Sequence, residues 1–129
     1  MAGSVLIDTN AASALLRRNP KLISQLGVDT ELYLPIVVYG ELYYGALKSG
    51  SASAQVARVE DLLSSVAVLG WDLDTARTFG RVKAELAEAG KMIPVNDLWI
   101  AAIALRFNLP VVTQDQHFSR VSGLTVISW

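Results

Sequence analysis

Short apolar runs alternate along the chain with longer segments whose apolar positions recur every three or four residues. Val5-Leu6-Ile7 is unbroken and apolar, which predicts a buried strand. Thr9 and Asn10 offer an N-cap for a helix over Ala11 to Arg18, and Arg17 and Arg18 suit its negative C-terminal end. Asn19-Pro20 predicts a second cap, with proline at the first helical position, and a helix to about Leu26. Leu32-Tyr33-Leu34 reads as a second strand closed by Pro35, and Ile36 to Lys48 as a helix despite Gly40 and Gly45. Ser53 to Ser64 places Val56, Val59, Leu62 and Leu63 on one helical face. Val66 to Leu69 is a third strand. Asp72 then caps a helix with the stripe Leu73, Ala76, Phe79, Val82 and Leu86, stopped by Gly90. Asp97 to Phe107 is apolar nearly all round, so that helix belongs in the interior. Pro110 to Thr113 and Leu124 to Ile127 are the last two strands.

Strands alternating with helices predict an α/β fold with a mostly parallel, about five-stranded sheet covered on both faces. Such sheets bind ligands in the crevice beyond the carboxyl ends of their strands. At 129 residues, with no linker or repeat, a single domain over 1–129 is expected. A hydrophobic share of 52% supplies a core without staples. The absence of cysteine excludes disulfide frameworks, thiol catalysis and Cys-type zinc sites, and a lone histidine, His117, excludes sites built from two or three histidines. With 11 basic against 12 acidic residues, bulk positive charge does not hold the chain to nucleic acid. The start of the chain lacks a basic segment and a long apolar run, and no uncharged stretch reaches the length of a membrane span, so a cytoplasmic location is expected.

Four acidic residues stand apart from the other charges. Asp8 follows the first strand and is the only charge before Arg17. Glu41 is the only charge from Leu32 to Leu47, Asp97 the only one from Met92 to Leu105, and Asp115 the only formal charge from Phe107 to Ser119. An ionised carboxylate in apolar surroundings is costly. If the four converge, repulsion raises their pKa values unless something positive sits among them, and these segments carry no Lys or Arg for that task. Mg²⁺ or Mn²⁺, which prefer oxygen ligands, would serve. Each acid also has a plainer reading. Asp8 or Asn10, and Asp97 with Asn96, are candidate helix caps. Asp115 suits a turn, and Glu41 suits a solvated helix face. The conjunction favours one shared metal site over four separate explanations.

The same segments resemble a known family. Asp8-Thr9-Asn10, Glu41-Leu42-Tyr43-Tyr44-Gly45, Asn96-Asp97-Leu98-Trp99-Ile100-Ala101-Ala102, and Thr113-Gln114-Asp115-Gln116-His117-Phe118 with Gly123-Leu124 occur in order along the chain. Together they resemble the PIN-domain ribonucleases, specifically the VapC-like toxins of type II toxin–antitoxin systems. The resemblance implies a three-layer α/β/α fold and Mg²⁺- or Mn²⁺-dependent endonuclease activity on RNA, by metal-activated water in a four-carboxylate site. Asp8, Glu41, Asp97 and Asp115 match the four acidic positions, and Thr113 the hydroxyl residue before the last. Thr9 and Asn10 fall in the first motif as supporting residues. Gln114 departs from a common asparagine. The resemblance further implies a VapB-like antitoxin as partner, and a homodimer.

Arg17, Arg18 and Lys21 form one basic group, and Arg77 and Arg81 lie on a helix face that reads as ordinary solvated surface. Tyr39, Leu42 and Tyr43 suit an apolar groove beside Glu41 for the antitoxin, with core packing the plainer use of each. His117 reads as a loop residue, with proton transfer as the lesser use. A catalytically silent PIN-fold module binding RNA or protein is the main competing function, and the complete acidic set argues against it. A phosphoacceptor receiver domain needs an acidic pair after the first strand and a late lysine, and this chain has one Asp after the first strand and no Lys after Leu124 to Ser128. Phosphate-binding glycine loops and a Gly-x-Ser-x-Gly elbow are absent.

Overall fold

The computed structural model describes residues 3–129. In chain order it contains β1 (Gly3–Ile7), α1 (Thr9–Leu16), α2 (Pro20–Leu26), β2 (Thr30–Pro35), α3 (Ile36–Leu47), α4 (Ala52–Leu62), β3 (Ala67–Leu69), α5 (Leu73–Ala89), α6 (Val95–Phe107), β4 (Val111–Val112), a 3-10 turn (Gln116–Arg120) and β5 (Val126–Ile127). The five strands pair in parallel throughout, in the order β3-β2-β1-β4-β5. Strand β1 is central because its run is wholly apolar: Val5, Leu6 and Ile7 are fully buried. Leu6 registers with Tyr33 on one side and Val111 on the other.

The chain builds the sheet outward from β1 through β2 to β3, then returns past β1 to add β4 and β5. Parallel crossovers are right-handed, so reversing the direction moves the helices to the opposite face. Accordingly α1 packs on α2, α3 and α4, while α5 packs on α6. The result is the expected α/β/α sandwich. The reversal also opens a crevice between the carboxyl ends of β1 and β4, where Asp8 and Asp115 emerge.

Several boundaries differ from the sequence pattern. Asp8, not Thr9 or Asn10, caps α1, its Oδ1 accepting from the Ala11 N–H at 2.8 Å. Helix α1 ends at Leu16, with Arg17 its C-cap and Arg18 in the left-handed region at φ 54°. Helix α6 begins at Val95 behind Pro94, which places Asn96 and Asp97 inside the first turn rather than at the cap. On α5 the buried face is Thr75, Thr78, Val82 and Leu86, whereas Leu73 and Ala76 are exposed. The Asp72 cap itself forms as expected, accepting from the Thr75 N–H at 2.7 Å. Leu63 also turns outward from the stripe on α4. Helix α6 is the interior helix its composition predicts: Leu98 and every residue from Ile100 to Ala104 are buried. Its Trp99 stacks on Phe79 of α5, ring centres 3.9 Å apart.

Candidate active site

The crevice between β1 and β4 collects three of the four isolated acids. Asp8 leaves β1 almost wholly buried, and both its oxygens are engaged. Oδ1 caps α1, and Oδ2 accepts from the Thr113 hydroxyl. That hydroxyl in turn accepts from the Asp115 N–H at 2.8 Å. One buried threonine thus ties the end of β1 to the segment after β4. Asp115 caps the 3-10 turn, its Oδ1 accepting from the His117 N–H at 2.9 Å. Asp97 enters from the first turn of α6, where the helix dipole favours a negative group. Oxygens of Asp97 and Asp115 and a nitrogen of His117 lie within 4.8 Å of one another.

Electrostatics in the crevice are unfavourable to the charged forms. Burial raises the Asp8 pKa above the ordinary carboxylate value, and the charges of Asp97 and Asp115 raise it further, against the opposing hydrogen bonds from Thr113 and Ala11. Burial likewise raises Asp97, followed by the charge of Asp115, with His117 opposing. Among the described residues no Lys or Arg forms an ion pair with Asp8, Glu41, Asp97 or Asp115. Arg77 and Arg81 pair instead with Asp74 and Glu85 on the exposed face of α5, the ordinary solvated surface its pattern suggests.

Glu41 stands at the rim. It is exposed on α3, and its Oε1 accepts from the Asn96 side-chain amide. Since Asn96 precedes Asp97, the first turn of α6 links Glu41 to the acids below it. Thr9 and Glu41 share a cavity of about 290 Å³ with Ser13, Arg17, Leu42 and Arg58. Asn10 is exposed on the first turn of α1. Tyr39 and Tyr43 do not line that cavity. They pack half-buried against the core, and the Tyr39 hydroxyl donates to Glu60 at 2.6 Å, which pushes its pKa up to about 12. The apolar groove beside Glu41 therefore opens toward α1 and α4 instead of along the tyrosines. Two residues take roles that the sequence pattern did not give them: Asn96, read as a candidate cap, holds Glu41, and His117, read as a loop residue, lies beside Asp97 and Asp115. The signal for His117 was its position two residues after Asp115, within reach of a tight turn.

The donor set suits a hard divalent cation: carboxylate oxygens gathered at one sheet edge, with Asp8 and Asp97 raised in pKa and no Lys or Arg paired to them among the described residues. The architecture, a parallel sheet with acids at its topological switch point, defines a class of α/β domains with an acidic site beyond the carboxyl ends of their strands. Residues 5–124 match the family described as PIN domain, and the chain belongs to that family. It is similar to Ribonuclease VapC2 of Haemophilus influenzae, with 34% identity over 127 residues and 96% of both chains covered. It is also similar to the tRNA(fMet)-specific endonuclease VapC of Salmonella typhimurium, with 31% identity over 127 residues and 96% of both chains covered. Among solved structures it resembles DNA-bound VapBC from Salmonella typhimurium, with a TM-score of 0.91 and 30% identity across 100% of this chain and 99% of that one. No helix among the described residues is long and apolar enough to cross a membrane.

Proposed function

We propose that the protein is a single PIN domain over 1–129 acting as a Mg²⁺- or Mn²⁺-dependent endoribonuclease, the toxin of a toxin–antitoxin pair. The observation that carries this reading is the gathering of Asp8, Asp97 and Asp115 at the switch point, with Asp8 and Asp97 raised in pKa and, among the described residues, no Lys or Arg paired to them. Relatives named ribonuclease VapC supply the activity class, and the VapBC structures supply the partner.

In this reading Asp8, Asp97 and Asp115, with Glu41 at the rim, hold the cation. A divalent ion held by these residues would screen the approaching phosphate from the acids and would make a water more acidic. Thr113 orients Asp8 by donating to Oδ2. Asn96 occupies Oε1 of Glu41 and leaves Oε2 to take a proton from the attacking water. Attack at phosphorus breaks the bond to O3′ and leaves a 5′-phosphate and a 3′-hydroxyl. Thr9 and Asn10 shape the mouth of the site from the first turn of α1.

The partner is a VapB-like antitoxin. Its docking surface is the cavity shared by Glu41, Leu42, Arg17 and Arg58, which reaches the acidic set at Glu41. A homodimer and a cytoplasmic location complete the reading.

The test is cleavage of total RNA and of purified initiator tRNA with Mg²⁺ or Mn²⁺, against EDTA and Asp97→Asn controls, with product ends mapped. Discrete cuts bearing 5′-phosphates that vanish in both controls are expected. Cuts that persist in Asp97→Asn, or none in wild type purified free of antitoxin, would overturn the reading in favour of a silent module.

A further inference from the structure

We infer that His117 is a nitrogen ligand of the cation held by Asp97 and Asp115, and that it biases the site toward Mn²⁺ over Mg²⁺. This deepens the metal reading above and rests on it.

The argument begins with one atom. His117 Nδ1 is shielded from solvent and has no hydrogen-bond partner, although the side chain as a whole is 40% exposed. Two carboxylate oxygens flank it, Asp115 Oδ1 at 3.1 Å and Asp97 Oδ2 at 3.4 Å. Neither contact meets the geometry of a well-formed hydrogen bond, although His117 is close enough to Asp97 to help lower its pKa. An imidazolium serving only as a counter-charge would aim its N–H squarely along one of them, because charge-assisted hydrogen bonds are the strong ones. Here the ring nitrogen faces both oxygens instead.

The spacing fits a shared ion better. Ligands about 2.0–2.1 Å from a cation in octahedral geometry sit about 2.9 Å from their neighbours, and slightly longer bonds widen that figure. The two separations, 3.1 and 3.4 Å, are those of adjacent ligands opened by a few tenths of an ångström. The ring is also held in place. Its own backbone N–H donates to Asp115 at 2.9 Å, and the next residue, Phe118, is fully buried and anchors the turn. The imidazole is therefore presented to the two acids by backbone structure. A nitrogen donor among carboxylates shifts preference away from Mg²⁺, which favours oxygen, toward the transition-metal ion that accepts both.

His117 is the only histidine, so labelling histidine labels this ring alone. The experiment is pulsed electron paramagnetic resonance on Mn²⁺ bound to untagged protein, with natural-abundance or nitrogen-15 histidine. Modulation from a directly bound nitrogen that changes with the isotope is expected. Titration of His117→Ala should show Mn²⁺ affinity falling about tenfold or more, with Mg²⁺ affinity moving much less. Mn²⁺ that binds the wild type, is lost in Asp97→Asn, and shows no isotope-dependent modulation would overturn the His117 assignment alone. A wild-type protein that binds neither ion would overturn the metal reading beneath it as well.

Discussion

Asp97→Asn should stabilise the metal-free protein while abolishing its activity. The oxygens of Asp97 and Asp115 lie no more than 4.8 Å apart. At that separation two charges repel by about 0.9 kcal/mol in water and by about 3.5 kcal/mol at an effective dielectric of 20. Both side chains sit near the lip of the crevice, 19% and 27% exposed, and His117 lies beside them. The figure for this pair belongs in the lower half of that range, roughly 1–2 kcal/mol. For a chain of this length that corresponds to a rise of roughly 3–8 °C in Tm. Asparagine preserves the shape, so no cavity forms, and the lost attraction to the α6 N-terminus, about 0.3–1 kcal/mol, places the net gain toward the low end of that interval.

The pH dependence of the gain identifies its origin. Asp97 has its pKa raised above 3.8 in the folded state, first by burial and then by Asp115. The folded chain therefore holds this proton more tightly than the unfolded one, and wild-type stability falls as pH rises from the unfolded value through the folded one. Above that interval the full gain from asparagine appears. Below 3.8 Asp97 is neutral in both states and the gain disappears. Metal works in the opposite sense: at a hundredfold excess over Kd a bound ion stabilises the wild type by about 2.7 kcal/mol, and the variant by much less. Thermal melts in EDTA from pH 4 to 8, repeated with Mn²⁺, check all three points. A variant that melts lower than wild type in EDTA at pH 7, or a gain that persists unchanged at the acid end, would refute the reasoning.

Three further substitutions separate support from chemistry. Thr113→Val keeps the shape but removes the donor to Asp8 and the acceptor for the Asp115 N–H, so denaturant titration should show a loss of about 2–4 kcal/mol; an unchanged midpoint would mean the hydroxyl bridge is not made. Asn96→Ala frees Glu41 on an exposed surface, so stability should stay within about 0.5 kcal/mol of wild type while RNA cleavage slows by about tenfold or more. Equal cleavage rates would remove Asn96 from the site. Gly90→Ala places a side chain at φ 67° where nothing else lies within 4 Å, so the loss is purely one of backbone conformation, about 1 kcal/mol in a thermal melt.

The sheet and the acids were legible for one reason: both are written as contrasts. Val5-Leu6-Ile7 stands out as an apolar run, and Glu41 as a charge in an apolar helix. What escaped was structure carried by residues that satisfy themselves locally. Thr75 and Thr78 occupy the buried face of α5 because their hydroxyls donate to Asp72 and to the Asp74 carbonyl. A hydroxyl satisfied within its own helix buries at little cost, so a search for apolar residues assigned that face to Leu73 and Ala76. The start of α6 was misplaced because Asn96-Asp97 offers good capping chemistry while Pro94, with a fixed φ of −56°, sets the actual boundary. The 3-10 turn after Asp115 spans too few residues to show a period, and with it went the position of His117.

Capping and metal binding looked like competing uses of the same acids, and the structure shows why they need not compete. Asp8 caps α1 with one oxygen and is fastened to Thr113 by the other; Asp115 caps the turn that carries His117. These bonds hold each carboxylate in one orientation, and at Asp8 the donors from Thr113 and Ala11 favour the charged form and oppose the rise in its pKa. For Asp8 burial and like charge still win, and the net shift is upward. An acid given two hydrogen bonds and still raised is one whose surroundings favour its neutral form unless a cation joins it. Caps that rigidify the acids without neutralising them are what a site for a divalent cation requires: fixed oxygens, and a deficit of charge left for the ion to fill.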